Sequence, residues 1–446
     1  MVYIYYNTDD HKDEVGTMMI LRKSGILEAM NIYFSGIGGV GIGPLAEIAN
    51  DAGYDIAGSD PTESLMINEL RQKGINVSTN QDGTFLKSLH DKKPIDWFIY
   101  TSALTSDHPE IEMANKLEIK IAKRDELIAH IIDEKKLKLI AVAGTHGKTT
   151  VTGMLVWTMQ QLGIPISYSI GATTTFCPSG KLDPASEYFI YECDEFDRNF
   201  LNFKPYLSLI TSVDYDHPDT YPTIFEYLDA FHQFAIGSNQ VITWNDQHEE
   251  LFINIPNVIL LDPSAINNLA ISGQHNRRNI TLAQSGLKQL GYTQNTDEIL
   301  IRFPGTNRRF EKLANNLYSD YGHHPVEIAA TLQMASELSS HIILIYQPHQ
   351  NIRQYKIRDQ YTNQFEIAES IYWLPTYLSR EDPNLKILKP EELIQNITNK
   401  SSIQIVDFDD NLWNIIQQSR NQGKLVLVMG AGTIDNWVRK KLTETK

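Results

Sequence analysis

The stretch "LKLIAVAGTHGKTTVTGMLVWTMQQLG", residues 137–163, indicates the fold class of this chain. Its first seven residues are a short apolar run, which is typical of a buried parallel strand. Residues 149–162 carry apolar side chains at helical spacing, and Gly163 follows as a helix terminator. A strand, a glycine-rich turn and a helix in succession predict an α/β fold with an anion site at the helix N-terminus.

The turn between this strand and this helix has the composition of a phosphate-binding loop, although it lacks the first glycine of the usual pattern. Gly144 and Gly147 let the backbone approach a phosphate closely. Lys148 would reach the outer phosphates, and the Thr149 hydroxyl would bind Mg²⁺. The residues predicted to hold the nucleotide are Gly144, Thr145, His146, Gly147, Lys148, Thr149 and Thr150.

Two later apolar runs also end in chemically active side chains. A predicted strand over 188–191 is followed by Glu192, Asp194 and Glu195, and another over 207–213 is followed by Asp216 and His217. Ligands of open α/β sheets gather at the carboxyl ends of the strands. A nucleoside triphosphate site needs metal ligands besides the hydroxyl, and these five side chains are the candidates.

A second glycine-rich turn lies in "NIYFSGIGGVGIGPLAEIANDAGYDIAGSD", residues 31–60. It reads as a strand, the glycines Gly36, Gly38 and Gly41, a helix, a strand and then Asp60, which is the dinucleotide fingerprint. Alone, this pattern would favour an NAD-dependent oxidoreductase. Because a phosphate-binding loop follows, it more plausibly binds a second nucleotide diphosphate, such as a UDP-linked substrate.

Composition limits the remaining classes. The chain has 446 residues, 42% of them hydrophobic, which is enough for two to four domains. A net charge of −16 argues against a broad nucleic-acid surface. Two cysteines cannot build a disulfide framework and fit a reducing cytosol. No apolar run is long enough to span a bilayer, and residues 1–29, which lack a cleavage site, are interpreted as an N-terminal extension or an over-called start.

Ten segments occur in the order found in the Mur ligases of peptidoglycan synthesis, and the chain resembles that family over about residues 30–440. The segments are "GIGGVGIGPLAEI", "TSALTSDHPE", "AGTHGKTT", "ECDEFDRNF", "DYDHPDTY", "GQHNRRN", "NRRFE", "DYGHHPVEI", "YQPH" and "GAGTID". The resemblance implies three α/β domains. They are a Rossmann-like UDP-sugar-binding domain (30–135), a P-loop ATPase domain with a mostly parallel sheet (136–304) and a Rossmann-like lid that binds the amino acid (305–446).

The resemblance also implies the reaction. An ATP-dependent ligase would phosphorylate the carboxylate of UDP-N-acetylmuramate, and the amine of L-alanine would then displace phosphate from the acyl phosphate. The implied cofactors are ATP and Mg²⁺, with Mn²⁺ as an alternative because a histidine ligand is unusual for Mg²⁺. We expect a cytoplasmic monomer or weak homodimer that neither binds nucleic acid nor inserts into a membrane.

The implied site residues fall into four groups. Lys148, His323, His324 and Arg353 are the expected catalytic residues. Mg²⁺ is expected at Thr149 and Glu192, with a second ion at His217. ATP contacts are expected from Asn276, Asn279, Arg309 and Asp320, besides the loop 144–150. Substrate contacts are expected from Gly36, Gly38, Gly39, Gly41, Asp60, Ser102, Glu195 and His349.

One segment departs from the family pattern. After "QPH" the family has a basic residue and then Ser/Thr-Arg, whereas this chain has "HQNIRQ" and retains only Arg353. The amine substrate is therefore open between L-alanine and a whole peptide, as in a recycling ligase that uses the same sugar nucleotide. An oxidoreductase would leave Lys148, Glu192 and His217 unexplained. A non-catalytic nucleotide-binding regulator would be expected to have lost Lys148 or Glu192.

Overall fold

The structure, a computed structural model, describes residues 29–444 except positions 40, 102, 103, 106, 218, 219, 267, 268 and 380. The predicted N-terminal extension lies outside the described residues except for its last position. Ser102, a predicted substrate contact, also lies outside them. Among the helices of the described part, none has both the length and the apolar character needed to cross a bilayer.

The first sheet is built from strands that alternate with helices. They are β1 (Asn31–Ser35), α1 (Gly43–Asp51), β2 (Asp55–Ser59), α2 (Leu65–Gln72), β3 (Asn76–Ser78), α3 (Thr84–His90), β4 (Trp97–Tyr100), α4 (Pro109–Lys116), β5 (Lys120–Ala122) and α5 (Arg124–Glu134). All neighbours are parallel, in the order β3-β2-β1-β4-β5. The glycine turn after β1 therefore opens where the strand order reverses, at the usual ligand crevice of such sheets.

The second sheet has seven strands. Its elements are β6 (Lys138–Ala143), α6 (Lys148–Gln161), β7 (Ser167–Ser169), β8 (Gly180–Lys181), β9 (Tyr188–Glu192), β10 (Leu207–Ile210), α7 (Ile224–Ile236), β11 (Val241–Trp244), β12 (Val258–Leu261), α8 (Gln274–Gln289) and α9 (Thr296–Ile301). The order is β12-β11-β10-β6-β9-β7-β8, with only the β7–β8 pair antiparallel. Since β6 lies between β9 and β10, the three predicted chemical strand ends meet at one edge.

The third sheet has six strands. Its elements are β13 (Glu311–Ala314), β14 (Leu317–Asp320), α10 (Pro325–Ser336), β15 (Ile342–Tyr346), α11 (Asn351–Ile357), β16 (Ser370–Trp373), α12 (Pro390–Leu393), β17 (Ile403–Ile405), α13 (Asp410–Asn421), β18 (Leu425–Met429) and α14 (Ile434–Glu444). The order is β13-β14-β18-β15-β16-β17, parallel except for the β13–β14 pair. The predicted α/β class with mostly parallel sheets is confirmed.

The predicted strand over 207–213 is wrong at its C-terminal end. Strand β10 stops at Ile210, and the chain then leaves the sheet to pack on the phosphate-binding loop. There the Ser212 carbonyl accepts a hydrogen bond from the Thr145 amide at 3.0 Å, and its hydroxyl accepts one from the His146 amide at 3.1 Å. These loop contacts replace the ladder bonds that a longer strand would make.

The apolar cores show which parts of the molecule are packed as one body. A single buried cluster runs from the first sheet, with Ile32 and Leu45, into the second, with Leu139 and Phe189. The third sheet instead covers its two faces with cores of its own, centred on residues such as Leu344 and Val428. Continuous apolar packing of this kind fixes the first two sheets relative to each other.

Candidate active site

The phosphate-binding loop joins β6 to α6 with two glycines in the left-handed region. Gly144 has a φ of +126° and Gly147 a φ of +87°, values that other residues adopt only under strain. A Cβ on Gly144 would lie 2.2 Å from the Thr211 hydroxyl, and a Cβ on Gly147 would lie 2.8 Å from Oδ1 of Asn279. The loop therefore needs glycine at both positions, and it packs directly against α8.

Lys148 is the first residue of α6 and is committed to a buried carboxylate. Its Nζ donates to the Gly144 carbonyl and to Oε2 of Glu195, both at 2.6 Å. The Glu195 side chain is only 1% exposed. Burial opposes the charge on Lys148, but the neighbouring carboxylates outweigh it and raise the lysine pKa. Lys148 therefore stays cationic. Glu195, which the sequence predicts as a substrate contact, is the ion-pair partner of Lys148.

Thr149 and Glu192 lie together, as a shared metal site requires. The Thr149 hydroxyl donates to Oε1 of Glu192 at 2.9 Å, and Oε2 of Glu192 accepts from the Gly171 amide at 3.0 Å. A Cβ on Gly171 would lie 2.5 Å from Oε2 of Glu192, so this glycine makes room for the carboxylate. A hydroxyl and a carboxylate are hard oxygen donors, and this pair fits Mg²⁺.

His217 belongs to a second cluster beside the first. One ligand atom from each of Asp194, Glu195 and His217 falls within a group no wider than 4.8 Å. Burial would raise the pKa of Asp194, but Lys148, His217 and Arg124 together hold it below its usual value. His217 itself has a strained φ of +54°. The structure thus places the predicted ligand His217 with Asp194 and Glu195, which were metal candidates by their position after a strand but which the family resemblance did not assign to a metal.

Arg353 connects the third sheet to the second. Its guanidinium lies 2.6 Å from Nε2 of His323, 3.2 Å from Nδ1 of His217 and 3.7 Å from Oδ1 of Asp216. Burial lowers the pKa of His323 to about 4, so the imidazole is neutral at pH 7. Nε2 of His323 then accepts from Arg353, and its Nδ1–H points to the Tyr321 carbonyl at 3.2 Å.

The remaining predicted residues after β14 and β15 occupy defined positions. Both carboxylate oxygens of Asp320 accept backbone bonds, from Gly322 at 2.7 Å and Phe310 at 2.8 Å. His324 caps α10 through its Nδ1, 3.4 Å from the Val326 amide. His349 stacks on Tyr377 at a ring distance of 5.5 Å and meets the edge of His323 at 5.3 Å. In this structure the side chains of Asp320 and His324 therefore hydrogen-bond to backbone amides.

A cavity of about 290 Å³ opens between α8, α10 and the phosphate-binding loop. Seven predicted nucleotide contacts line it, namely His146, Gly147, Thr150, Asn276, Asn279, Arg309 and Asp320. Glu327, which the sequence did not single out, also lines it. Its Oε1 lies 3.4 Å from Nδ1 of His146 and 3.7 Å from Arg309. In the sequence, Glu327 is noticeable only as part of the segment "DYGHHPVEI". Its contact with His146, which lies in the second sheet's loop, becomes visible only in the folded structure.

His275 also faces this cavity, and its acid response can be predicted. Burial, followed by the charge of Arg309, lowers the pKa of His275 to about 4. Between pH 6.5 and 4, His275 is therefore protonated in the unfolded chain but neutral in the folded chain. The free energy of unfolding consequently falls as the pH falls. At pH 5 the low pKa of His275 lowers the free energy of unfolding by about 2 kcal/mol.

We therefore expect His275→Phe to lose less stability than wild type between pH 7.5 and pH 5, in thermal unfolding with matched buffers. The control is His341→Phe, since His341 is exposed and paired with Glu369 at 3.0 Å. Equal pH dependence of wild type and His275→Phe would contradict this assignment.

The glycine turn after β1 is held by backbone and carboxylate contacts. Gly36 has a φ of +79°, and its amide donates to the Ser59 carbonyl at 2.8 Å. One Asp60 oxygen accepts from the Gly38 amide and the other from the Thr62 amide, each at 3.0 Å. Asp60, predicted to hold a ribose, therefore shapes the turn. Gly39 continues it, with its amide 3.1 Å from the Gly36 carbonyl.

The sequence matches two family profiles. The profile described as "Mur ligase family, catalytic domain" covers residues 31–136, and "Mur ligase middle domain" covers residues 142–305. A UDP-N-acetylmuramate--L-alanine ligase of Christiangramia forsetii is 30% identical over 444 residues, covering 92% of this chain and 96% of the relative. One of the same name from Carboxydothermus hydrogenoformans is 27% identical, covering 93% and 96%.

Solved structures agree on the fold. The UDP-N-acetylmuramate-alanine ligase of Thermotoga maritima superimposes with a TM-score of 0.73 at 24% identity, covering 94% of this chain and all of that one. A murein peptide ligase of Psychrobacter arcticus gives a TM-score of 0.64 at 22% identity, covering 93% and 98%. The chain therefore belongs to the Mur ligase family, whose members are ATP-dependent amide ligases.

Proposed function

We propose that this protein joins L-alanine to the carboxylate of UDP-N-acetylmuramate at the expense of ATP, in the cytoplasmic stage of peptidoglycan precursor synthesis. One observation carries the proposal: Lys148, the carboxylates after β9 and His217 of the second sheet come together with Arg353 of the third sheet. The full-length relatives named UDP-N-acetylmuramate--L-alanine ligase support it. We assign residues 30–135 to the sugar nucleotide, 136–304 to ATP and 305–446 to the amine.

The first step makes the carboxylate reactive. A carboxylate oxygen of the muramoyl group attacks the γ-phosphorus; the new O–P bond forms as the bond to the β-phosphate oxygen breaks, and ADP leaves. Lys148 stabilises the charge on the transferring phosphoryl group. The Gly144 carbonyl and Glu195 hold its Nζ at the end of the phosphate-binding loop.

The second step forms the amide. The neutral amine of L-alanine attacks the acyl carbon, the C–N bond forms, the C–O bond breaks, and one proton of the amine passes to the departing phosphate. Arg353 is the cation that we assign to the carboxylate of the amino acid. His323 is a neutral acceptor held against Arg353, so it positions this guanidinium. Water must be excluded, because it would hydrolyse the acyl phosphate.

Two groups of side chains suit a divalent cation. Thr149 and Glu192 would hold Mg²⁺, and His217, with Asp194 and Glu195, would hold a second ion. A divalent cation held by these side chains would neutralise charge on phosphate oxygens. Because one donor is an imidazole, Mn²⁺ would be a suitable substitute at the second position.

We expect His217→Ala to raise the Mg²⁺ concentration needed for half-maximal phosphate release by about tenfold, because one ligand of the second ion is lost. The measurement is a Mg²⁺ titration at saturating ATP. The control is His341→Ala, which removes an exposed histidine of a different sheet. It should need the same Mg²⁺ concentration as wild type. An unchanged Mg²⁺ requirement in His217→Ala would remove His217 from the ligand set.

The direct test follows phosphate release and product mass with UDP-N-acetylmuramate, ATP, Mg²⁺ and each amino acid in turn. Release with L-alanine, and a product heavier by one alanine residue, is the expected result. Release only with a peptide would move the protein to the recycling reaction. No release with either would refute both ligase proposals.

The peptide alternative rests on the segment from His349 to Arg353. Asn351, which stands within it, is buried and committed to the backbone of Lys386 at 3.1 Å and of Leu388 at 2.8 Å. Gln350 stands with a φ of +57°. Among residues 349–353, Arg353 is the side chain with a permanent positive charge. Because the fold is also similar to that of a murein peptide ligase of Psychrobacter arcticus, a peptide is included among the substrates tested.

A further inference from the structure

Helix α8 begins without a capping side chain of its own. Its N-cap position is Gly273, which has no side chain, and its first turn contains no acidic residue. The first amides of a helix have no partner within the helix, and a serine, threonine, aspartate or asparagine at the N-cap usually bonds one of them. The amides at the start of α8 therefore depend on acceptors from elsewhere in the molecule.

The acceptors come from the C-terminal end of α10, a helix of the third sheet. Oε2 of Glu337, the residue directly after α10, accepts from the Gly273 amide at 3.0 Å, and Oε1 of Gln333 accepts from the Gln274 amide at 3.1 Å. Nε2 of Gln333 also donates to Oε1 of Glu337 at 2.6 Å. Two side chains of the third sheet thus cap a helix of the second.

The charges around Glu337 favour this arrangement. The dipole of a helix disfavours a carboxylate at its C-terminus and favours one at its N-terminus. Glu337 follows the C-terminus of α10 but faces the N-terminus of α8, where the guanidinium of Arg277 forks onto both its oxygens at 2.8 and 3.1 Å. Arg277, Gln333 and the Gly273 amide together lower the pKa of Glu337 to about 2, so this cap is charged at pH 7.

The first turn of α8 also borders the nucleotide cavity. His275, Asn276 and Asn279 line that cavity. Asn279 lies against the phosphate-binding loop, where its Oδ1 would be 2.8 Å from a Cβ on Gly147. On the other side, Nδ2 of Asn276 lies 3.3 Å from Sδ of Met334 in α10. The turn that carries two predicted ATP contacts is therefore held between the loop and α10.

The two helices belong to separate apolar cores. Leu332 anchors α10 in a core of the third sheet, and Leu287 anchors α8 in a core of the second. The bonds between the helices are polar, and the side chains of Glu337 and Arg277 are 27% and 22% exposed. Polar contacts of this kind allow one domain to move against another. When α10 moves away, the amides at the start of α8 lose both acceptors.

We propose that Glu337 and Gln333 are positioning residues of the nucleotide site, which cap α8 from the third sheet and so hold its asparagines in place for ATP. This inference rests on the proposed function. Docked α10 strengthens nucleotide binding, and by reciprocity bound nucleotide favours the docked position of α10. Arg353 follows β15 of the same sheet and lies 3.2 Å from His217, so one docking movement completes the nucleotide site and brings in the cation for the amine substrate.

The test is calorimetric binding of ADP with Mg²⁺ to wild type and variants. We expect Glu337→Ala to weaken ADP about tenfold, because the cap and the pair with Arg277 are lost together. Glu337→Gln can still accept from the Gly273 amide, so it should lose only about threefold. The matched control is Glu369→Ala, which removes an ion pair with Lys424 at 2.6 Å inside the third sheet's own domain. It should bind ADP like wild type.

Two further readouts separate positioning from folding. Affinity for UDP-N-acetylmuramate, which we assign to the first sheet, should be the same in Glu337→Ala and wild type. In the ligase assay the KM for ATP should rise about tenfold, whereas kcat at saturating ATP should change less than about threefold. Should Glu337→Ala fold poorly, Gln333→Ala removes only the acceptor of the Gln274 amide and is expected to weaken ADP about threefold.

The outcomes are distinct. Wild-type ADP affinity in a folded Glu337→Ala or Gln333→Ala overturns the inference, whatever the melting temperature of the variant. Equal loss of affinity for ADP and for UDP-N-acetylmuramate also overturns it, because the change would then be global. Absence of ADP and sugar-nucleotide binding in wild type would instead refute the proposed function.

Discussion

Lys148→Ala is expected to lower the rate of phosphate release by about 10³-fold, because the variant loses the cation at the end of the phosphate-binding loop that we assign to the transferring group. The same change leaves Glu195, which is 1% exposed, without its ion-pair partner at 2.6 Å. Removing one member of a buried pair costs on the order of 3 kcal/mol. The variant should therefore be both inactive and less stable, which initial rates and thermal unfolding measure.

A double variant separates these two effects. In Lys148→Ala/Glu195→Gln the buried charge is gone, so stability should return toward wild type while activity stays lost. If activity returned together with stability, the lysine would be structural and the catalytic assignment would be wrong. A near-normal rate in Lys148→Ala alone would contradict it more simply.

Glu192→Gln is expected to lower the rate by more than about 10²-fold while changing the melting temperature little. Glutamine has the same shape and can keep bonds to the Thr149 hydroxyl and the Gly171 amide, which lie 2.9 Å and 3.0 Å from the carboxylate. What it removes is the negative charge that a divalent cation needs.

The matched control is Glu187→Gln, just before the same strand, where the carboxylate is exposed and paired with Lys138 at 2.5 Å. It should keep the wild-type rate. A Glu192→Gln enzyme with a normal rate and an unchanged Mg²⁺ requirement would exclude Glu192 as a metal ligand.

Local sequence predicted those parts of the site that depend on neighbouring residues. The strand, turn and helix around the predicted phosphate-binding loop follow from an apolar run, glycines and a helical pattern, and the structure confirms these elements with β6 ending at Ala143 and α6 beginning at Lys148. The convergence of Glu192 and His217 on one edge follows from the rule for parallel strand ends. Both predictions use only a strand, the turn that follows it and the rule that parallel strands end at the same edge of a sheet.

The parts that escaped the sequence depend on contacts between distant segments. Glu195 faces Lys148 across 47 positions, and Glu327 of α10 reaches His146 of the loop. Asp60 has the spacing of a ribose ligand, and each of its two oxygens also accepts one backbone amide, from Gly38 and from Thr62. The spacing of residues in the sequence does not show which hydrogen bonds a carboxylate makes in the folded protein.

The most direct measurement of the central claim uses UDP-N-acetylmuramate with ¹⁸O in both carboxylate oxygens, incubated with ATP, Mg²⁺ and L-alanine. Phosphorylation of the carboxylate transfers one labelled oxygen to each phosphate that is released, and the other stays in the amide. We predict one ¹⁸O per phosphate together with a product heavier by one alanine residue. Unlabelled phosphate, or labelled phosphate without amide product, would contradict ligation through an acyl phosphate.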